Sequence, residues 1–164
     1  MPNITLTWST TLYVPTAVQY GVNNWIFTVK WRRGDNTQLP EGARLYIIQN
    51  SDGHPIYAGQ ADDARSRFNA RADALRQLGI AQNADALSHR VDIASINPAA
   101  RINLAEQWLV RILYLRDHTA PPYLLQNVNL TNPFDAPDDG LTVTNNNRPG
   151  YLNANYDYMG GEQI

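Results

Sequence analysis

The sequence contains no cysteine. Disulfides, thiolate metal sites and cysteine nucleophiles are therefore excluded, and the redox compartment leaves no trace. Lys30 is the single lysine, so every other cationic side chain is an arginine. No run of about eighteen apolar residues occurs, and no membrane-spanning helix is expected. The opening residues MPNITLTWST lack the basic and hydrophobic regions of a secretory leader, so no signal peptide is expected. The histidines His54, His89 and His118 lie far apart and show no metal-ligand spacing. There is no G-x-S-x-G elbow and no phosphate-binding P-loop, which leaves serine-hydrolase, redox and nucleoside-triphosphatase readings without support.

What is present suits a globular protein. The chain has 164 residues, 43% of them hydrophobic, enough for one domain with a real core. The formal charge is −2. That balance counts mildly against a nucleic-acid protein, since phosphate contact leaves a basic footprint. The distribution softens the objection. Arg65, Arg67, Arg71 and Arg76 gather in one segment, while acids such as Asp135, Asp138, Asp139, Asp157 and Glu162 lie near the C-terminus. Arginine suits bidentate phosphate contact, although codon bias accounts for arginine use equally well.

The most informative stretch runs from Arg44 to Phe68. Leu45–Gln49 is β-prone, Asn50-Ser51-Asp52-Gly53 is a turn signal, and Pro55–Ala58 is the return strand. With Asp52 and Gly53 at the centre of the turn, Tyr46 faces Gly59 and Tyr57 faces Ile48. Both phenols then lie on one face. A one-residue bulge would separate them. Asp62 can cap a helix over residues 62–78 with Ala64, Phe68, Ala72 and Leu75 as its apolar stripe. Arg67 and Arg71 flank that stripe, positions that suit either a cleft edge or simple snorkelling. Two phenols and a guanidinium near one spot could hold a phosphate.

Residues 80–88 read as a loop, and RVDIASI, from Arg90 to Ile96, as a third strand. A second helix follows Asn97-Pro98 and runs to about Arg116. Leu104, Trp108, Ile112 and Leu115 form one stripe on it, and Leu109, Val110 and Leu113 a second on nearly the opposite side. A helix apolar on two faces is largely buried. Glu106 sits within the second stripe, where a carboxylate is costly unless it is paired or binds a cation. The competing reading is a capping box with Asn103, which requires the helix to begin there. Asn127 supports the glutamate or the sheet, or else is a turn residue. His54 lies beside the hairpin turn, where it could assist a proton transfer or serve the turn alone.

These residues together resemble the GIY-YIG nuclease family. Arg44-Leu45-Tyr46 matches the first signature tripeptide and Tyr57-Ala58-Gly59 the second. Arg67 falls where the family carries its arginine, Glu106 where it carries its metal-binding glutamate, and Asn127 near the expected asparagine. Arg44 replaces the first glycine, Ala58 replaces the usual Ile or Val, and Arg71 stands where a His or Tyr is common. The resemblance covers roughly Ala43 to Asn132.

The resemblance implies an α/β (α+β) fold, with a small central antiparallel sheet flanked by helices. Residues 41–132 form the nuclease core, residues 1–40 an N-terminal β extension of two or three strands, and residues 133–164 an irregular tail, either draped on the core by Tyr151, Tyr156 and Tyr158 or partly disordered. The extension is either a recognition arm or a strand layer covering a sheet edge. The implied activity is metal-dependent phosphodiester hydrolysis, with DNA the expected substrate and RNA open. Tyr46, Tyr57, Arg67 and Glu106 are the catalytic candidates. Arg71, Gly59, Asn127 and His54 are the substrate-binding ones, and Glu106 holds a single Mg²⁺ or Mn²⁺. The expected setting is the cytoplasm or delivery into a target cell, as a restriction-type enzyme, an antibacterial toxin with an immunity or inhibitor protein, or a mobile-element enzyme. The alternatives are a catalytically inactive binding module on the same fold and a β-rich adhesion or assembly domain.

Overall fold

A computed structural model describes residues 2–20, 24–30, 43–49, 53–61, 89–117, 125, 127 and 130–164. The helix expected over 62–78, and with it Arg67 and Arg71, lies outside the described residues.

Seven strands lie among the described residues: β1 (Asn3–Tyr20), β2 (Asn24–Lys30), β3 (Arg44–Gln49), β4 (Pro55–Ala61), β5 (His89–Asn97), β6 (Leu141–Asn146) and β7 (Asn155–Tyr158). One α-helix among the described residues, α1 (Ile102–Asp117), follows a 3-10 turn at Ala99–Arg101. The sheet runs β4-β3-β5-β1-β6-β7, and β2 pairs with β1 off that path. The protein is therefore α+β, as expected at that level. The sheet itself is mixed and wider than a small antiparallel core, because β1 and β6 pair in parallel.

Two segments expected at the periphery help to build this sheet. Ile4, Leu6 and Trp8 alternate with polar residues and form a strand with one buried face, since Asn3, Thr7 and Ser9 are exposed. The strand lies between β5 and β6, so it covers the edge of β5 and is covered in turn. It also runs as one element through Tyr20, its far half paired with β2 from Val14↔Lys30 to Tyr20↔Asn24. The tail expected to be irregular contains β6 and β7. Its Asn, Asp, Pro and Gly content masked a short alternation in which Leu141, Val143 and Asn145 point inward. The tyrosine anchoring does hold: Tyr151, Tyr156 and Tyr158 all pack against the core.

The main core lies between α1 and one face of the sheet. Ile4, Leu6, Trp8, Leu45, Ile47, Ala58, Ala94, Leu141 and Val143 meet Ala105, Trp108, Leu109, Val110 and Leu113 there. The helix is buried more broadly than an amphipathic one, although Leu115 of its first stripe is exposed. Trp108 fixes it to the last strand, since its Nε1–H donates to the Tyr158 hydroxyl at 3.1 Å and its ring meets Tyr156 edge-on. Trp8 Nε1–H donates to Asn145 Oδ1 at 2.9 Å, tying the first strand to the sixth. No helix among the described residues is long and apolar enough to cross a membrane.

Candidate functional site

From Arg44 to Ile48 the β3–β4 hairpin has the register expected of an Asp52-Gly53 turn centre. Tyr46 pairs with Gly59 and Tyr57 with Ile48, and the ladder slips only between Ile48 and Gln49, next to the turn. Gly53 takes φ +82°, the left-handed conformation for which a glycine is suited. The two phenols share a face, as the period-two argument requires, and their rings stack with centroids 6.2 Å apart. Tyr46 is 0% exposed, whereas Tyr57 is half-buried. Tyr57 is therefore the member of the pair with surface to offer.

Gly59 has a steric reason to be glycine. A Cβ built on it would stand 2.8 Å from Tyr46 Oη and 3.0 Å from Cζ. The phenol lies across the space that any larger residue would fill, so the tyrosine of the first tripeptide and the glycine of the second interlock.

The outer edge of β4 is occupied by side chains. Asn127 grips Ala58 as a neighbouring strand would: its Oδ1 accepts from the Ala58 N–H at 3.0 Å, and its Nδ2 donates to the Ala58 carbonyl at 2.8 Å. Two residues on, the Gln60 N–H donates to Glu106 Oε1 at 3.1 Å. The Gln60 side chain donates to Glu106 Oε2 at 2.8 Å and to Asn103 Oδ1 at 2.6 Å. Backbone polar groups at a sheet edge need partners. Asn127 and Glu106 provide them from opposite sides of Gly59.

These contacts replace the capping box considered for Glu106. The α-helix starts at Ile102, so Asn103 is already helical and its side chain turns to Gln60 instead. The half-buried carboxylate is satisfied by hydrogen bonds across to the sheet. Strand alternation separates the candidates further. Leu45, Ile47 and Ala58 pack beneath α1, so Tyr46, Tyr57 and Gly59 lie on the other face of the sheet. Glu106 approaches from the helix side and meets the tyrosine hairpin at the β4 edge.

A second polar centre lies on the helix side, at the turn end of the hairpin. Asp92 is 1% exposed, and its Oδ2 accepts from both the Tyr151 hydroxyl and the Gln49 amide. Burial, reinforced by the adjacent Asp92 carboxylate, holds the Tyr151 phenol well above the usual tyrosine range. The Arg116 guanidinium lies 5.4 Å from the centre of the Tyr151 ring. These residues, with Gly53, His54, Pro149 and Gly150, line a cleft of about 470 Å³. His54 therefore faces this cleft.

Sequence reading passed over Gln60, Asn103, Gln49, Asp92, Tyr151 and Arg116 as participants in a site. One signal for Asp92 was available. Ala94 and Ile96 share its side of the strand while Val91 and Ile93 occupy the other, so neither side of RVDIASI is a polar face. Among the described residues no group of three or more His, Cys, Asp or Glu side chains is gathered for a metal. Compared with known proteins, the chain matches no family model, no curated protein and no solved structure.

Proposed function

We propose that this chain is a metal-dependent nucleic-acid phosphodiesterase of the kind its GIY-YIG resemblance implies, with DNA as its substrate. The observation that carries the reading is the interlock of the two tripeptides. Tyr46 lies across Gly59, and Tyr57 stacks beside it on the same face. The packing gives those residue types a joint role that chance similarity would not require.

Glu106 fits a single hard cation such as Mg²⁺ or Mn²⁺. It is a half-buried carboxylate, and each oxygen keeps a lone pair after accepting from Gln60. A cation bound there supplies charge stabilisation to the phosphodiester and its leaving oxygen. Tyr57 orients the attacking water, because it is the partly accessible phenol of the pair. Tyr46 holds the Tyr57 ring in place from beneath. Arg67 neutralises the charge that develops on the phosphate.

A second reading is favoured by the same carboxylate. Both Glu106 oxygens already serve Gln60, as a purely structural edge cap would. On that reading the chain is an inactive binding module. A plasmid-cleavage assay with Mg²⁺, Mn²⁺ or EDTA separates the two, run on wild type, Glu106→Gln, Arg67→Ala and Tyr57→Phe. Metal-dependent nicking lost in folded Glu106→Gln and Arg67→Ala supports the nuclease. Absence of cleavage of plasmid and RNA by folded wild type, with either metal, selects the binding module. Cleavage at fixed sequences points to restriction, and indiscriminate damage with poor growth of the expressing host points to a toxin.

A further inference from the structure

We propose that Gln60 and Asn103 complete a hard-cation site with Glu106 at the outer edge of β4, and that the Gln60 amide holds the place of the ion until one binds. The inference rests on the reading of Glu106 given above and deepens it. It adds two neutral oxygen ligands to the single carboxylate.

The three side chains meet because of two local periodicities. Asn103 and Glu106 stand three residues apart on α1, which places them on one face of the helix. Gln60 follows Gly59 on β4 and alternates onto the α1 side of the sheet with Ala58. Gln60 Nε2 then lies 2.6 Å from Asn103 Oδ1 and 2.8 Å from Glu106 Oε2. Two oxygens from successive turns of the helix converge on one point, and that point carries the positive end of an amide dipole. An N–H donor between two acceptors occupies the position that a small cation takes, since the same lone pairs hold both. Asn103 is exposed and its bond to Gln60 lies at the surface, so an ion reaches this point without opening the core.

The donor chemistry sets the class of ion. Carboxylate and amide carbonyl oxygens are hard ligands and suit Mg²⁺, Mn²⁺ or Ca²⁺. A half-turn of the Gln60 amide exchanges Nε2 for Oε1, which converts the donor into a third oxygen ligand. The carboxylate stays oriented meanwhile, because Glu106 Oε1 accepts from the Gln60 backbone N–H at 3.1 Å. One charged ligand and two neutral ones leave net positive charge on a bound divalent ion. That suits an ion that must also attract an anionic phosphodiester. A purely structural edge cap asks the opposite of residue 60. The cap needs an N–H donor in that side chain, whereas the ion needs an oxygen. An ionised carboxylate accepts and cannot donate, so Gln60→Glu separates the two roles.

The test is Mn²⁺ titration of the folded full chain, followed by electron paramagnetic resonance, with thermal unfolding measured in the presence and absence of the ion. Wild type is expected to bind Mn²⁺ saturably. Asn103→Ala weakens binding by about tenfold. Asn103→Asp and Gln60→Glu each add a charged ligand and tighten binding by about tenfold or more. Gln60→Glu also sets two carboxylates together, so its unfolding temperature falls without the ion and rises with Mn²⁺ by more than that of wild type. The Asn103 variants change an exposed residue and keep the test open if Gln60→Glu folds poorly. Absence of saturable binding to wild type overturns the proposal. So does an affinity that Asn103→Ala and Asn103→Asp leave unchanged, or a destabilised Gln60→Glu protein that Mn²⁺ does not rescue. The expected Mn²⁺ responses in a protein that cleaves neither plasmid nor RNA leave this site standing and remove the nuclease. Metal-dependent cleavage that Glu106→Gln abolishes and the Asn103 and Gln60 variants leave untouched does the reverse.

Discussion

Tyr46 and Gly59 occupy one space: the phenol of the first lies where the side chain of the second would be, with Oη 2.8 Å from the position of the missing Cβ. Gly59→Ala is therefore expected to force the buried ring to move and to destabilise the protein by about 1–3 kcal/mol. Tyr46→Phe removes the nearest atom. The two substitutions combined should cost less than their sum, with a coupling of at least about 0.5 kcal/mol in a double-mutant cycle followed by urea denaturation. Strict additivity would show that the two residues do not share the space.

Asn127 stands in for a missing strand. Asn127→Ala leaves both Ala58 backbone groups on the outer edge of β4 without their partner. A loss of about 1–3 kcal/mol is expected. Amide exchange at Ala58 should accelerate selectively, and a concentration-dependent tendency to associate through the uncovered edge should appear in sedimentation.

The two roles of Glu106 can be separated by isosteric replacement. Glu106→Gln keeps an oxygen for the Gln60 N–H, so the fold should hold to within about 1.5 kcal/mol. Glu106→Ala removes both acceptors and should cost about 1–3 kcal/mol. If Glu106 also holds the cation, Mn²⁺ affinity measured by electron paramagnetic resonance should fall in both variants. Unchanged Mn²⁺ binding in folded Glu106→Gln would remove the metal assignment.

Alkaline pH should destabilise the protein. Tyr151 and Tyr158 are both raised by burial, and for Tyr151 the Asp92 carboxylate adds to it. A raised phenol stays protonated in the folded chain while its unfolded counterpart ionises near pH 10. The stabilisation is thus complete below about pH 10 and is lost as pH rises above it. For Tyr151, held well above the usual range, the slope should approach about 1.4 kcal/mol per pH unit, and Tyr158 should add in the same direction. Tyr151→Phe should remove one of these contributions in denaturation curves measured between about pH 9 and 11. An alkaline slope identical to wild type would count against it.

Asn145 joins three segments. It accepts from Trp8 Nε1 at 2.9 Å, donates to the Asn153 carbonyl at 3.0 Å, and its backbone N–H donates to the Ala154 carbonyl at 2.8 Å. Asn145→Leu leaves the buried Trp8 N–H without its acceptor and should cost about 1–3 kcal/mol in thermal or urea unfolding.

The parts of this fold legible in the sequence are those written in local chemistry. Asp-Gly at the turn and the alternation on either side determine which residues face each other in the hairpin, and hence that Tyr46 meets Gly59. The doubled apolar stripes around Trp108 and Leu109 require a buried helix. The period-two run from Ile4 to Trp8 requires a strand with one covered face. Each follows from spacing within about ten residues, because turn conformation and side-chain periodicity are properties of the nearby backbone.

Tertiary structure decided which partners those elements found. Nothing near Asn3 or Leu141 specifies that β1 and β6 run parallel, since that pairing links the two ends of the chain through their shared burial against α1. The buried charge at Glu106 was foreseeable, but its satisfaction by Gln60 depends on how the helix crosses the edge of β4. The cleft depends most on assembly. Gln49, Asp92, Arg116 and Tyr151 come from two strands, a helix end and a turn, and no short-range pattern brings them together. Local sequence chooses conformations, whereas a site built from four separate segments exists only once the core has set the distances between them.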